Sequence, residues 1–296
     1  MTKPELSIII VSYNTKAITQ NCLKSIFKSL EKSRLNYEVI VVDNGSTDGS
    51  IKLLNDYELR ITNLKNIFNK KNIGFGPANN QAVKEATGKY VFMLNSDIVV
   101  LNNAIEDLLD CYKKNENKIH FLGGKLLEKD GITPQPSCGP FYSLPVIFAA
   151  LFLKGDYWGL TRYSPNQLRR VGWISGACIL TKKEYYEKLG GFDEGIFLYM
   201  EEIDLLYRAS LKRLNTYFCP CARFIHIGFA SSGSKSSPII NVYRGFFYLY
   251  KKHFSASSLF FLKLLLQFKA LIAIAIGRIT GNQYAIKTYE QAIKMV

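Results

Sequence analysis

The sequence predicts an α/β protein built on a mostly parallel sheet, and three observations predict it. Short unbroken apolar runs recur, at residues 6–11 (LSIIIV), 38–42 (EVIVV) and 89–94 (KYVFML). Each run ends in a small polar cluster, and segments of helical period lie between the runs. Strands that are apolar on both faces belong to a parallel sheet covered by helices on two sides. In such sheets ligands bind beyond the carboxyl ends of the strands, where these polar clusters fall.

The elements follow in order. After the first run, Ala17, Ile18, Cys22, Leu23, Ile26, Phe27 and Leu30 recur at helical spacing. Ile51, Leu53 and Leu54, and later Ala82, Val83 and Ala86, continue the alternation of strand and helix. Residues 126–170 are less regular, rich in Gly and Pro around an apolar stretch at 146–153, and read as a long, partly helical insertion over the mouth of the sheet. Pattern resumes with GWISGACIL at 172–180 as one strand. Residues 182–189 read as a helix stopped by Gly190 and Gly191. Residues 201–213 read as a helix with acids in its first turn and bases in its last, which suits the macrodipole. Residues 216–227 read as extended chain. The expected organisation is a catalytic domain over 1–236, with halves 1–100 and 101–236, followed by a helical segment over 237–296.

The chain of 296 residues carries a net charge of +14, which favours anionic partners such as nucleotides or phospholipid surfaces. No nucleic-acid motif is present and the basic residues are scattered, so no nucleic-acid partner is expected. Six cysteines include no zinc-type CxxC pair and read as buried free thiols; Cys219 and Cys221 flank Pro220 and would face one side of a strand. With no signal-peptide pattern at the N-terminus, a cytoplasmic location is expected. From Lys235 onward nine basic residues face one acid, Glu290, and residues 258–276 are strongly apolar. That stretch is long enough to span a bilayer. Lys263 and Lys269, at about 2.5–3.5 kcal/mol each near a helix centre, nearly cancel about a dozen apolar residues at about 0.3–0.6 kcal/mol each. A helix lying in the interface, with its lysines reaching for headgroup phosphates, is the expected arrangement, at the inner face of the plasma membrane. Packing on the catalytic domain or on a second subunit is the plainer reading.

Six clusters can carry chemistry. Ser12-Tyr13-Asn14 follows the first strand and Asp43-Asn44-Gly45-Ser46 the second; a carboxylate such as Asp43 can accept from a base N–H or a ribose hydroxyl, although the same residues make good turns. Asn72-Ile73-Gly74-Phe75 allows close backbone approach to a ligand and is neither a P-loop nor a dinucleotide fingerprint. Asn95-Ser96-Asp97 ends the third run, where a carboxylate can hold a divalent cation whose other ligands come from a diphosphate. Glu201, Glu202 and Asp204 can supply a general base, or can simply favour a helix start, with Asp204 paired to Arg208. His226, at the end of an extended segment, can complete a metal site with Asp97 or serve a structural role.

Taken together and in this order, the segments SIIIVSYN, VVDNGSTDGS, NIGFGPANN, FMLNSD, WISGACIL, GGFDEGIFLYMEEIDL and FIHIG resemble the family 2 glycosyltransferases of the GT-A fold, over about residues 6–254. Gln135-Pro136-Ser137 and Lys252-His253-Phe254 extend the likeness to bacterial rhamnosyltransferases. The resemblance implies a GT-A-type, Rossmann-like sheet flanked by helices. It implies that Ser12, Tyr13, Asn14, Asp43, Ser46, Asn72, Gly74, Phe75, Asn95 and Ser96 surround a nucleotide-diphosphate sugar. It implies Asp97 and His226 as ligands of a divalent cation, Mg²⁺ or Mn²⁺, with Asn95 where the family has a first acid. Trp173, Ser175 and Gly176 fall on the acceptor side. Glu202 stands where the family's base is usually Asp, with Glu201 and Asp204 as rivals. The implied reaction is an inverting transfer of a sugar, such as rhamnose from dTDP-rhamnose, to a glycan or lipid-linked glycan in cell-surface polysaccharide synthesis. A sugar nucleotidyltransferase would want an Arg-containing phosphate loop after the first strand, and a non-catalytic sugar-nucleotide-binding protein would not need the acids and His226.

Overall fold

The computed structural model describes residues 3–228 and 236–295. The chain begins with three strand–helix units: β1 (Leu6–Ser12), α1 (Lys16–Leu30), β2 (Tyr37–Asp43), α2 (Ser50–Glu58), β3 (Leu64–Phe68) and α3 (Phe75–Glu85). Then come β4 (Tyr90–Asn95), β5 (Ile98–Val100), α4 (Ala104–Lys113) and β6 (Phe121–Leu127). The middle holds β7 (Cys138–Gly139), α5 (Leu144–Phe152), β8 (Arg169–Val171), β9 (Trp173–Ile174), β10 (Cys178–Lys182) and α6 (Lys183–Lys188). It closes with α7 (Glu201–Leu211), β11 (Thr216–His226), α8 (Ser236–His253), α9 (Ala256–Thr280) and α10 (Gln283–Ile293).

The main sheet runs β3-β2-β1-β4-β10-β6-β11-β5, with β8 also paired to β11. β3, β2, β1 and β4 are mutually parallel, as the apolar runs require. β10 is antiparallel to both β4 and β6. Both faces of the sheet are buried. Along β1, Ile8 and Ile10 join Cys22, Leu23 and Ile26 of α1 on one side, while Ile9 joins Ala78 and Ala82 of α3 on the other. Successive side chains of a strand point to opposite faces, so an apolar strand needs a helix on each.

Three expectations change on contact with the structure. The run 172–180 is two strands, because Ser175–Ala177 forms a turn in which Cys178 N–H donates to Ser175 O at 3.1 Å. β9 leaves the main sheet and pairs with β7. β3, a half-exposed edge strand of mixed polarity, carries no unbroken apolar run and is found only by its pairing with β2. In α9, Lys269 turns into the protein, donating to Leu151 O of α5 at 2.9 Å, instead of reaching outward for phosphates. A carbonyl at the end of a helix needs a donor, and this lysine is near enough to supply it.

The C-terminal helices pack on one another and on α5, and share buried residues with β9 and α7. Tyr243, Phe246, Leu249 and Tyr250 of α8 and Leu262 and Leu266 of α9 belong to the same buried cluster as Trp173, Met200 and Ile203. Ser255 caps α9 by accepting from Ser258 N–H, and Gly281 ends it at φ +70°. The expected boundary after residue 236 adjoins residues 229–235, which lie outside the described residues.

Candidate active site

The loops at the carboxyl ends of β1, β2 and β4 open on one cleft of about 660 Å³, within the range of small-molecule sites. Thirteen of the eighteen residues singled out above line it. Tyr13, Asn72, Gly74, Phe75, Asn95 and Ser96 stand on one side with Asp97 and His226, and Trp173, Ser175, Gly176, Glu201 and Glu202 on the other. Ser12, Asn14, Asp43, Ser46 and Asp204 are not in its wall.

Four of those five brace the donor-side loops. Ser12 is buried and shares hydrogen bonds with Thr15 and Thr19, at 3.1 and 2.8 Å. Asn14 N–H donates to Ser46 Oγ at 2.8 Å, and Asn14 Oδ1 accepts from Thr47 N–H at 2.8 Å, so the loops after β1 and β2 hold each other. Asp43 Oδ1 accepts from Ser46 N–H at 2.8 Å, whereas its Oδ2 is buried without a partner among the described residues. Asn44, part of the second polar cluster but given no role of its own by the sequence, is the hub of this rim. It donates to Asn72 Oδ1 at 3.0 Å and Gly74 O at 3.1 Å, and accepts from Asn69 and Ile73. Gly74 has φ +99°, and a Cβ there would lie 3.0 Å from Phe197 O. Only glycine accommodates both the backbone angle and the approach.

β5 and β11 pair antiparallel with His226 opposite Ile98, which brings the imidazole beside Asp97. His226 Nε2 lies 3.4 Å from Asp97 Oδ1. His226 Nδ1 is 2.7 Å from Gln135 Oε1, so with the proton on Nδ1 it donates to that amide oxygen and Nε2 is left as a lone pair facing Asp97. Asn95 Oδ1 is buried without a partner among the described residues. A carboxylate, a tautomer-fixed imidazole and an unsatisfied amide oxygen at one end of a cleft suit a hard divalent cation that takes its remaining ligands from a diphosphate. Gln135 belongs to the Gln-Pro-Ser segment noted in the sequence, but its orienting role depends on the fold of the insertion.

The opposite rim is electrostatically strained. Tyr199 and Met200, neither of them glycine, have φ +70° and +74° immediately before α7. Such pairs cost about 1–3 kcal/mol each and concentrate at functional sites. Glu201 is buried, and its Oε2 has no partner among the described residues. Burial first, and then the neighbouring charge of Glu202, push its carboxyl well up. Glu202 is half-buried and is also raised by desolvation. Amide groups of the first turn of α7 and of Gly176, together with the charge of Arg162, favour its ionised form and partly offset that rise. Arg162 comes from the insertion, lines the cleft and stacks its guanidinium over Trp173 at 5.6 Å.

Asp204, the third sequence candidate for the base, faces away from the cleft and is fully occupied. Its Oδ2 accepts from Arg208 Nε at 2.7 Å, and its Oδ1 contacts Lys252 Nζ at 2.8 Å and His253 Nε2 at 2.7 Å. Burial alone would raise it, but these bonds and the Arg208 charge prevail and hold it below the usual carboxylate range. The Lys-His-Phe segment thus ties α8 to α7 and leaves Glu201 and Glu202 as the acids of α7 that line the cleft.

A sheet with this strand order, ligand loops on one rim and an Asp–His pair just after the fourth parallel strand is that of the GT-A fold. Residues 7–134 match Glycosyl transferase family 2. The chain is a glycosyltransferase, and over those residues it is similar to family 2. It is 27% identical over 247 residues to the N-acetylglucosaminyl-diphospho-decaprenol L-rhamnosyltransferase of Mycobacterium tuberculosis, covering 77% of this chain and 78% of the relative. It is also 27% identical over 228 residues to the rhamnosyltransferase WbbL of Escherichia coli, covering 74% and 82%. Among solved structures, the mannosyltransferase PcManGT of Pyrobaculum calidifontis, in complex with GDP-Man and Mn²⁺, shares the fold with a TM-score of 0.60 at 15% identity, over 99% of this chain and 74% of the other.

Proposed function

We propose that the protein transfers a sugar from a nucleoside-diphosphate donor to a hydroxyl of a lipid-linked glycan, with inversion, in cell-surface polysaccharide synthesis. The observation that carries this reading is the convergence of Asp97, His226 and Glu202, distant in sequence, on one cleft. Tyr13, Asn72, Gly74 and Phe75 hold the nucleoside and its diphosphate on the donor side, and Asp43, buried behind them, supports that rim by accepting from Ser46 N–H. Asp97 and His226, with Asn95 beside them, hold a divalent cation, Mg²⁺ or Mn²⁺. When bound, such an ion offsets the charge that builds on a departing diphosphate. The rhamnosyltransferase names of two relatives favour a rhamnose donor such as dTDP-rhamnose.

On the acceptor side, Trp173, Ser175 and Gly176 face the hydroxyl that is to react. Glu202 accepts its proton as the oxygen attacks the anomeric carbon. Glu202 suits this role better than Glu201 because it is less deeply buried and its charged form has partners, whereas Glu201 is buried with an unmet oxygen. A raised carboxyl is a stronger base than an ordinary one, nearer the acidity that proton abstraction needs. Held in line, donor and acceptor gain most of their rate from positioning. E202Q should lower turnover by about 10³-fold or more while leaving nucleotide-sugar affinity within about twofold. Near-normal turnover by that variant would refute the assignment.

The same reading places the active cleft beside a membrane at its cytoplasmic face. α9 is long and apolar enough to cross a bilayer, and it leaves Phe260, Phe261, Phe268 and Leu271 exposed. α5 packs against it through Phe152 and Phe268, and contributes Ala150 and Leu151 to the cleft wall. An acceptor on a lipid carrier could therefore reach the cleft along this face. Truncation after His253 should reduce flotation with anionic liposomes, and unchanged partitioning would discard the membrane role.

A further inference from the structure

One cluster of reactive side chains lies outside the cleft. Cys111, near the end of α4, and Cys219 and Cys221, in β11, bring three sulfurs within 4.8 Å of one another. β11 reaches this position by an irregularity. Its pairing with β6 passes from Cys219 opposite Gly124 directly to Arg223 opposite Lys125, so residues 220–222 have no counterpart. A bulge of this kind re-aims side chains, and Pro220 fits within it because no ladder bond is asked of its nitrogen. Cys219 and Cys221 thereby share a side, with their sulfurs 2.9 Å apart. Cys219 is buried, Cys111 is half-buried and Cys221 is exposed, so the cluster opens to solvent on one side. Asp107 stands one turn before Cys111 on the same face of α4, close enough for its charge to act on Cys221.

We propose that Cys111, Cys219 and Cys221 form a site for one thiophilic divalent cation of the zinc type, with its fourth position open to Asp107 or water. Three thiols packed together gain only weak S–H contacts. Three sulfurs around a Zn²⁺ fill three corners of a tetrahedron, and each binding thiol releases its proton to solvent. The donor set differs in kind from Asp97 and His226. Soft sulfur selects zinc-like ions, whereas a carboxylate with diphosphate oxygens selects magnesium or manganese. A cation here would fasten α4 to the strand whose far end carries His226.

The test is a titration of the reduced, metal-free full chain with Co²⁺, followed by displacement with Zn²⁺. A thiolate-to-cobalt charge-transfer band saturating at about one equivalent is expected. Oxygen and nitrogen ligands at Asp97 and His226 give no such band. C111S and C221S should each lose the band and weaken Zn²⁺ binding by about 100-fold or more, measured against a chromophoric chelator. Cys221 is exposed, so C221S should keep its circular dichroism and decides the matter should C111S misfold. The site is refuted by the absence of a band in the reduced wild type, by a band that persists in C221S, or by a disulfide joining two of the three in protein prepared under reducing conditions.

Discussion

The two rims of the cleft are built on opposite principles. On the donor rim the polar groups largely satisfy one another. Asn14, Ser46 and Thr47 interlock the first two loops, and Asn44 ties them to Asn72 and Gly74. On the acceptor rim Glu201 is buried with an unmet oxygen, Glu202 is held above its usual range, and two residues before α7 sit in left-handed backbone. The difference teaches where the fold is prepared and where it is loaded. A preorganised rim receives a ligand with little rearrangement, while a rim that keeps an unfavourable acid in place holds a base ready for proton transfer.

Asp204 belongs to neither state, and it offers the sharpest break of the comparison. D204A removes the counter-charge of Arg208, Lys252 and His253 at a fully buried position. Breaking such a group should cost about 3–5 kcal/mol by denaturant unfolding, whereas E202Q should leave stability nearly unchanged. The pH dependence follows from the sign. Asp204 is held below the usual carboxylate range, so its stabilisation is complete above the ordinary value and fades as pH falls through its own. D204A should lose that part of the acid sensitivity. Equal stability in both variants would mean that the two acids do not differ as described.

A smaller effect concerns the donor rim alone. Q135L removes the acceptor that orients His226 and should weaken Mn²⁺-dependent donor binding by about 10–100-fold, measured by calorimetry. Unaltered metal dependence would show that the imidazole needs no support. The smallest effect tests how the two acids of the cleft are tuned. Desolvation raises Glu202, and Arg162 opposes that rise. R162Q should therefore raise it further. Because the base acts deprotonated, the acid limb of the kcat/KM profile should move to higher pH, and modestly, since Arg162 is exposed to screening solvent. A shift in the opposite direction would remove Glu202 from the titration.

Much of the donor side was legible because its signals are local. The runs 6–11, 38–42 and 89–94 are apolar at nearly every position, with Ser7, Glu38 and Lys89 at or near their starts, and each ends at the cleft. The acceptor side was legible only in part. Residues 172–180 read as one strand, but the Ser175–Ala177 turn divides them, and no periodicity marks a turn made of small residues in an apolar run. Arg162 and Gln135 lie in the irregular insertion, where neither period nor spacing points to a role. Asp204 and Glu202 stand two residues apart on one helix. Arg208, one turn on, already marks Asp204 as its partner, and α8 completes the difference by bringing Lys252 and His253 to the same carboxylate.

By itself the sequence determined the α/β class, the parallel half of the sheet, the helix starts and the polar clusters at the strand ends, because hydrophobic period and turn chemistry act between near neighbours. The tertiary structure alone decided which acid faces the cleft, which amide orients His226, and that three cysteines from α4 and β11 meet. Those outcomes depend on register and packing between elements far apart in the chain, and no local pattern encodes them.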